Sequence, residues 1–146
     1  MRPGENPAYD RALRLLAARP RSRAKLRELL LDRGHAIGEV DAALARAGEL
    51  GYLDDRAFAR QRAEGLLGRY AGAAVEAKLV ADGVAPDLAR EAITSARPDD
   101  GRLARALLEQ RFGPPPFTGK AAARAARFLA GRGFGEELIE RLLGGS

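Results

Sequence analysis

The chain has 146 residues, a length that fits one domain or an array of small units, and 46% of them are hydrophobic, enough to bury a core. It contains no cysteine, which excludes disulfides, thiolate metal sites and a cysteine nucleophile. It also lacks any apolar run near the ~20 residues that a membrane span requires, so a cytoplasmic protein with no membrane partner is expected. With 25 basic and 20 acidic side chains the net charge is +5, a mild bias toward polyanionic partners.

The charge is uneven along the chain. Residues 1–33 carry nine basic and four acidic side chains, residues 34–98 eight and ten, and residues 99–146 eight and six. The two ends are basic and the middle is not.

Taken in order, the elements are all helical. Residues 1–7 read as a flexible N-terminus, followed by a first helix around Leu13 and Leu16. Ser22 is placed to cap a second, whose Leu26, Leu29 and Leu30 fall at i, i+3 and i+4 and which ends at Gly34. Ile37, Val40, Leu44 and Ala47 form the stripe of a third. Asp54 can begin a fourth through Phe58 and Leu66, Val75 and Leu79 mark a fifth ending at Gly83, and the Pro86-Asp87 pair opens a sixth with Leu88 and Ala92. Leu103 and Leu107 mark a seventh. Between Phe112 and Gly119, Pro114, Pro115 and Pro116 make the longest internal loop, read as a stiff spacer. Thr118 begins an eighth helix with Ala125, Phe128 and Leu129, ending at Gly133, and Leu138 and Leu142 mark the ninth. Alternating strand patterns are absent.

Gly34, Gly83 and Gly133 expose a repeat. They stand 49 and 50 residues apart, each preceded at minus four by leucine (Leu30, Leu79, Leu129) and followed by a turn and a second stripe. The expected fold is all-α: an elongated, curved array of three tandem three-helix repeats over residues 8–53, 54–97 and 98–146, since units this small bury little surface alone.

The adjacent carboxylates Asp54 and Asp55 could suggest acid-base or metal chemistry, but the only histidine, His35, sits in a turn. Asp54 as helix cap with Asp55 in the first turn accounts for both. Tyr52, Leu53 and Phe58 are expected to pack the joint between the first two units, and Phe128 and Phe134 to pack the third. No catalytic, cofactor or metal site is expected, for there is no phosphate loop, nucleophile motif or metal-ligand spacing.

That leaves the basic residues as the functional surface. Arg19, Arg21, Arg23, Lys25 and Arg27 cluster at the start of the second helix, Arg60 and Arg62 lie on the fourth, and Lys120, Arg124 and Arg127 form a ridge at i, i+4 and i+7 on the eighth. Such side chains can bind phosphate or acidic partners, or simply be solvated.

The junction Gly51-Tyr52-Leu53-Asp54-Asp55-Arg56-Ala57-Phe58-Ala59 resembles the signature of the RecX family, bacterial regulators of the RecA recombinase. Ser22 with Lys25-Leu26 and Leu29-Leu30 resembles that family's first helix motif, though the family usually has an acidic residue where Lys25 stands. Gly72, Val75, Lys78-Leu79 and Gly83-Val84 resemble its second unit, and Arg127-Phe128-Leu129 with Arg132-Gly133-Phe134 its closing motif. The resemblance covers about residues 9–143.

It implies tandem three-helix units, binding in the groove of the RecA nucleoprotein filament, and inhibition of RecA ATP hydrolysis, strand exchange and coprotease activity. It also adds Arg132 to the candidate contacts. A monomer is expected, with single- or double-stranded DNA as an additional partner. Two other readings stay open: a sequence-independent DNA-binding repeat protein, marked by steep salt dependence, and a protein-only helical scaffold.

Overall fold

The computed structural model describes residues 5–144, and every regular element among them is a helix. The order is α1 (Pro7–Ala18), α2 (Arg23–Asp32), α3 (Ile37–Glu49), α4 (Asp55–Leu66), α5 (Gly72–Ala81), α6 (Pro86–Ala96), α7 (Asp100–Phe112), α8 (Gly119–Gly131) and α9 (Glu136–Leu143).

Local chemistry starts these helices. Ser22 Oγ accepts from the Lys25 N–H at 3.2 Å, Asp54 Oδ1 from Ala57 at 3.1 Å and Asp99 Oδ1 from Arg102 at 3.1 Å, each satisfying an amide that has no partner within its helix. Asn6 does the same for α1, accepting from Ala8 at 2.9 Å. Of the N-terminus expected to be flexible, residues 1–4 lie outside the described residues. Asn6 and Pro7 instead belong to the start of α1, and Asn6 Nδ2 donates to the Glu39 carbonyl at 3.0 Å.

The leucine-glycine repeat is a helix-ending device. His35, Val84 and Phe134 each donate a backbone N–H to the leucine five residues earlier (Leu30, Leu79, Leu129) at 3.3, 3.0 and 3.1 Å. The glycine between holds φ of +88°, +98° and +90° respectively. That left-handed turn sets a side-chain-free residue at the bend, while the buried leucine packs under it.

Substantial helix-to-helix packing lies within successive groups of three: α1 on α3 with α2 across them, α4 on α6 with α5, and α8 against both α7 and α9. Three apolar clusters follow, centred on Leu26, Leu30 and Leu44, on Val75 and Leu79, and on Ala125 and Leu129. Each fully buried leucine contributes about 1.5–3 kcal/mol of transfer free energy. With three small cores in line, the chain exposes 9263 Å², against about 7200 Å² for a compact monomer of this mass. The molecule is an elongated array of three repeats.

Tyr52 departs from expectation. Leu53 is buried in the first cluster and Phe58 is half-buried against the second, but Tyr52 is 59% exposed. The α3 helix ends in another left-handed glycine, Gly51 (φ +82°), and the Tyr52 N–H is tied back to the Ala47 carbonyl at 2.9 Å. Tyr52 therefore serves the turn through its backbone, while Leu53 supplies the apolar side chain.

Candidate functional site

Two joints hold the units together, and both are built from the same parts. At the first, the start of α2 receives the second unit. Ser22 Oγ, fully buried, donates to the Asp82 carbonyl at 2.6 Å, and the Arg23 N–H donates to Asp55 Oδ1 at 2.8 Å. At the second, the start of α5 receives the third unit. The Ala71 N–H donates to the Arg132 carbonyl at 2.9 Å and the Gly72 N–H to Asp100 Oδ1 at 3.1 Å.

In both joints a carboxylate at the first residue of one helix meets the free amide at the first residue of another, where the helix dipole favours negative charge. The adjacent aspartates thus divide their work. Asp54 and Asp99 cap their own helices, and Asp55 and Asp100 reach across. The second pair was missed in the sequence, although Asp99-Asp100-Gly101-Arg102-Leu103-Ala104 repeats the pattern of Asp54-Asp55-Arg56-Ala57-Phe58-Ala59.

The turn glycines close the same joints. A side chain at Gly83 would meet Ser22 Oγ at 2.7 Å and Ala24 Cβ at 2.9 Å, and one at Gly133 would overlap Ala74 Cβ. Around the second joint, Arg132 is half-buried. Its Nη1 donates to the Arg69 carbonyl at 2.9 Å, and its guanidinium lies 5.3 Å from the Tyr70 ring and 4.8 Å from the Phe128 ring. Lys78 and Arg111 add cations at 4.4 Å over Tyr70 and 5.0 Å over Phe128. Arg132, carried here as a contact residue, is a clamp between units. Phe134 is buried and Phe128 stands edge-on to Phe112 at 5.8 Å.

The predicted basic contacts fall in separate places and differ in how they are paired. Arg27 is held by Asp41 at 3.0 Å, linking α2 to α3. Arg60 shares Glu91 with Arg56, at 3.5 and 3.1 Å, and Arg62 pairs with Asp82 at 3.2 Å. Lys25 pairs with Glu28 at 3.5 Å. Lys120, Arg124 and Arg127 are exposed and make no ion pair among the described residues, and the same is true of Arg23, Arg19 and Arg33. In the middle unit Arg56, Arg60, Arg62 and Arg90 are paired with acids, and Arg69 and Lys78 lie over Tyr70. Most of the middle unit's cations are thus engaged internally, whereas Arg23 of the first unit and Lys120, Arg124 and Arg127 of the third make no ion pair among the described residues.

A groove of about 720 Å³ runs beside the first joint, lined by Arg19, Arg21, Lys25, Phe58 and Arg62 among others. Arg21 donates Nε to the Leu15 carbonyl at 3.2 Å. Burial, and then the neighbouring Arg19 and Arg33 charges, hold its guanidinium below the usual arginine range. Three arginines thus stand near one another on the first unit. Among the described residues no group of His, Asp and Glu side chains is placed to hold a metal ion, and no helix is long and apolar enough to cross a membrane.

The family model described as RecX, first three-helix domain, matches residues 8–46. A protein named Regulatory protein RecX from Chromohalobacter salexigens is 38% identical over 135 residues, covering 92% of this chain and 89% of that one. One of the same name from Thermus thermophilus is 41% identical over 124 residues, covering 84% and 80%. The crystal structure of RecX from Lactobacillus salivarius superposes with a TM-score of 0.75 over 92% of this chain and 91% of that one, at 15% identity, a likeness of fold.

Proposed function

The chain belongs to the RecX family, and from that membership we propose that it regulates the RecA recombinase, lying along the RecA-DNA filament and lowering its ATP hydrolysis, strand exchange and coprotease activity. The observation that carries this reading is the likeness to proteins named as regulatory over nine-tenths of the chain. The geometry supports it. An elongated array presents a long surface, and its end units hold cations that no acid among the described residues pairs with. Unpaired arginine suits either acidic side chains or phosphate oxygens.

Of the basic residues singled out in the sequence, the reading assigns the contact to Lys120, Arg124 and Arg127, with Arg23 on the first unit. Lys25, Arg27, Arg60 and Arg62 are each paired with an acid, and Arg132 holds a joint. The protein acts by occupancy and has no catalytic group of its own.

The test is RecA's single-stranded-DNA-dependent ATP hydrolysis with the chain titrated in, beside a Lys120→Ala/Arg124→Ala/Arg127→Ala variant. Inhibition by the native chain that is relieved in a variant with unchanged thermal unfolding is expected. A folded native chain that neither inhibits nor binds the filament would sink the proposal, and steeply salt-dependent binding to naked DNA would then favour direct DNA binding.

A further inference from the structure

The second joint gathers cations that no acid answers. Arg69 and Lys78 of the second unit and Arg132 of the third lie 5.8, 4.4 and 5.3 Å from the Tyr70 ring, and Arg132 and Arg111 lie 4.8 and 5.0 Å from the Phe128 ring. None of the four makes an ion pair among the described residues. The carboxylate at the joint itself, Asp100, is bound to the Gly72 amide, and Glu76 on α5 is paired with Arg90. Glu109, the other acid of α7, is exposed and pairs with none of them. At the first joint, by contrast, Lys25 and Arg62 are neutralised by Glu28 and Asp82 at 3.5 and 3.2 Å.

A ring face attracts a cation through its quadrupole but carries no net charge, so the cluster stays positive. Charges held at 4.4 and 5.3 Å from one ring centre, or at 4.8 and 5.0 Å from another, lie inside the ~10 Å over which like charges still repel one another at about 0.1 M salt. The cluster is also open to a ligand: Arg69 and Arg111 are exposed, and Lys78 and Arg132 are half-buried.

We propose that this cluster is a seat for an anion that carries several phosphate groups in a row, and that its occupation stiffens the joint between the second and third units. Three of the four cations are guanidiniums, whose forked donors match phosphate oxygens, and a succession of charges across two rings suits linked phosphates better than one carboxylate. Two of the cations come from each side of the joint, so an anion that touches both pairs ties the units together. The joint it bridges is slight, two backbone amides bonded across it and the close approach of Gly133 to Ala74. A ligand that binds the docked arrangement better than any in which the units swing apart favours it by that difference in affinity. The inference stands apart from the recombinase reading, which assigns no contact to these residues.

The first probe is sodium tripolyphosphate, with sodium chloride adjusted to hold the ionic strength constant. At about ten times its Kd it should raise the thermal unfolding midpoint by about 3–6 °C. Lys78→Gln/Arg111→Gln should lose that shift, and Lys78→Gln alone should diminish it if the double variant does not fold. Lys78→Arg should keep it, as should Arg56→Gln/Arg60→Gln, which removes as much charge from acid-paired positions of the second unit.

Because the chain has no cysteine, spin labels attach only at introduced thiols. Between Thr94→Cys and Glu137→Cys, across the second joint, the distance distribution should narrow with tripolyphosphate. Between Ala17→Cys and Thr94→Cys, across the first, it should not change. A short oligothymidylate separates the sources of the phosphate: narrowing by tripolyphosphate alone assigns the seat to a free polyphosphate, and narrowing by the oligonucleotide to a nucleic-acid backbone. No midpoint shift from either anion, a shift that survives in the folded double variant, an equal shift from hexaglutamate, or a second joint unchanged by both anions overturns the proposal. No recombinase is present, so this outcome is separate from that of the ATPase assay.

Discussion

The first and second joints do the same job with different chemistry. At the first, a buried serine hydroxyl reaches the carbonyl before the turn glycine; at the second, a backbone amide does so, and Ala71 needs no polar side chain at the same position. What the two share is a left-handed glycine that lets one backbone come close to another, and an aspartate that reaches across from a helix start. The second joint then adds Arg132 between two rings, which the first lacks. Close approach and the carboxylate define the joint; the remaining contacts adjust its strength.

The comparison breaks most sharply at the glycines. Gly83→Val and Gly133→Val should each cost about 2–4 kcal/mol, combining the left-handed backbone penalty with overpacking against Ser22 or Ala74. Gly34→Ala meets open space and should cost only about 1 kcal/mol in urea unfolding of the free chain. If all three prove equal, the turns matter for their helices alone and the joints contribute nothing measurable.

Next come the polar bonds. Ser22→Ala loses its own helix cap and the bond to Asp82, and should cost about 1–2 kcal/mol. Asp55→Ala and Asp100→Ala should cost about 1 kcal/mol each and resemble one another, since each strands one amide at a joint. A large loss for one and none for the other would show that the shared geometry hides unequal joints. The smallest effects concern the cations. Arg132→Ala should cost about 0.5–1.5 kcal/mol through its rings and its bond to Arg69, whereas Arg62→Ala should change stability by less than about 1 kcal/mol, since exposed ion pairs contribute little. Thermal unfolding of the two variants side by side sharpens the contrast between joint and surface.

Much of the architecture was legible because helix ends are local. The cap at Ser22 bonds to Lys25 and the turn at Gly83 bonds to Val80, each within three residues, so residue type and spacing suffice to place them. The repeat of leucine and glycine carried the count of units for the same reason. The second aspartate pair was equally visible at Asp99 and Asp100, but its signal is the comparison of two helix starts rather than any spacing within one.

Whether a charge is free was not legible. Arg27 finds Asp41 fourteen positions away and Arg62 finds Asp82 twenty away, whereas Lys120, Arg124 and Arg127 find no acid among the described residues, and nothing in their spacing separates the two cases.

The amino-acid sequence by itself determined where helices begin and end, that they come in threes, and that both ends of the chain are basic, because those properties depend on neighbours within a turn or two or on composition. Tertiary structure alone decided that Tyr52 faces solvent, that Asp55 bonds to Arg23 thirty-two residues away, and that Arg132 reaches Arg69 across sixty-three. Those contacts exist only once separate helices have docked, and docking is set by how close two backbones can come.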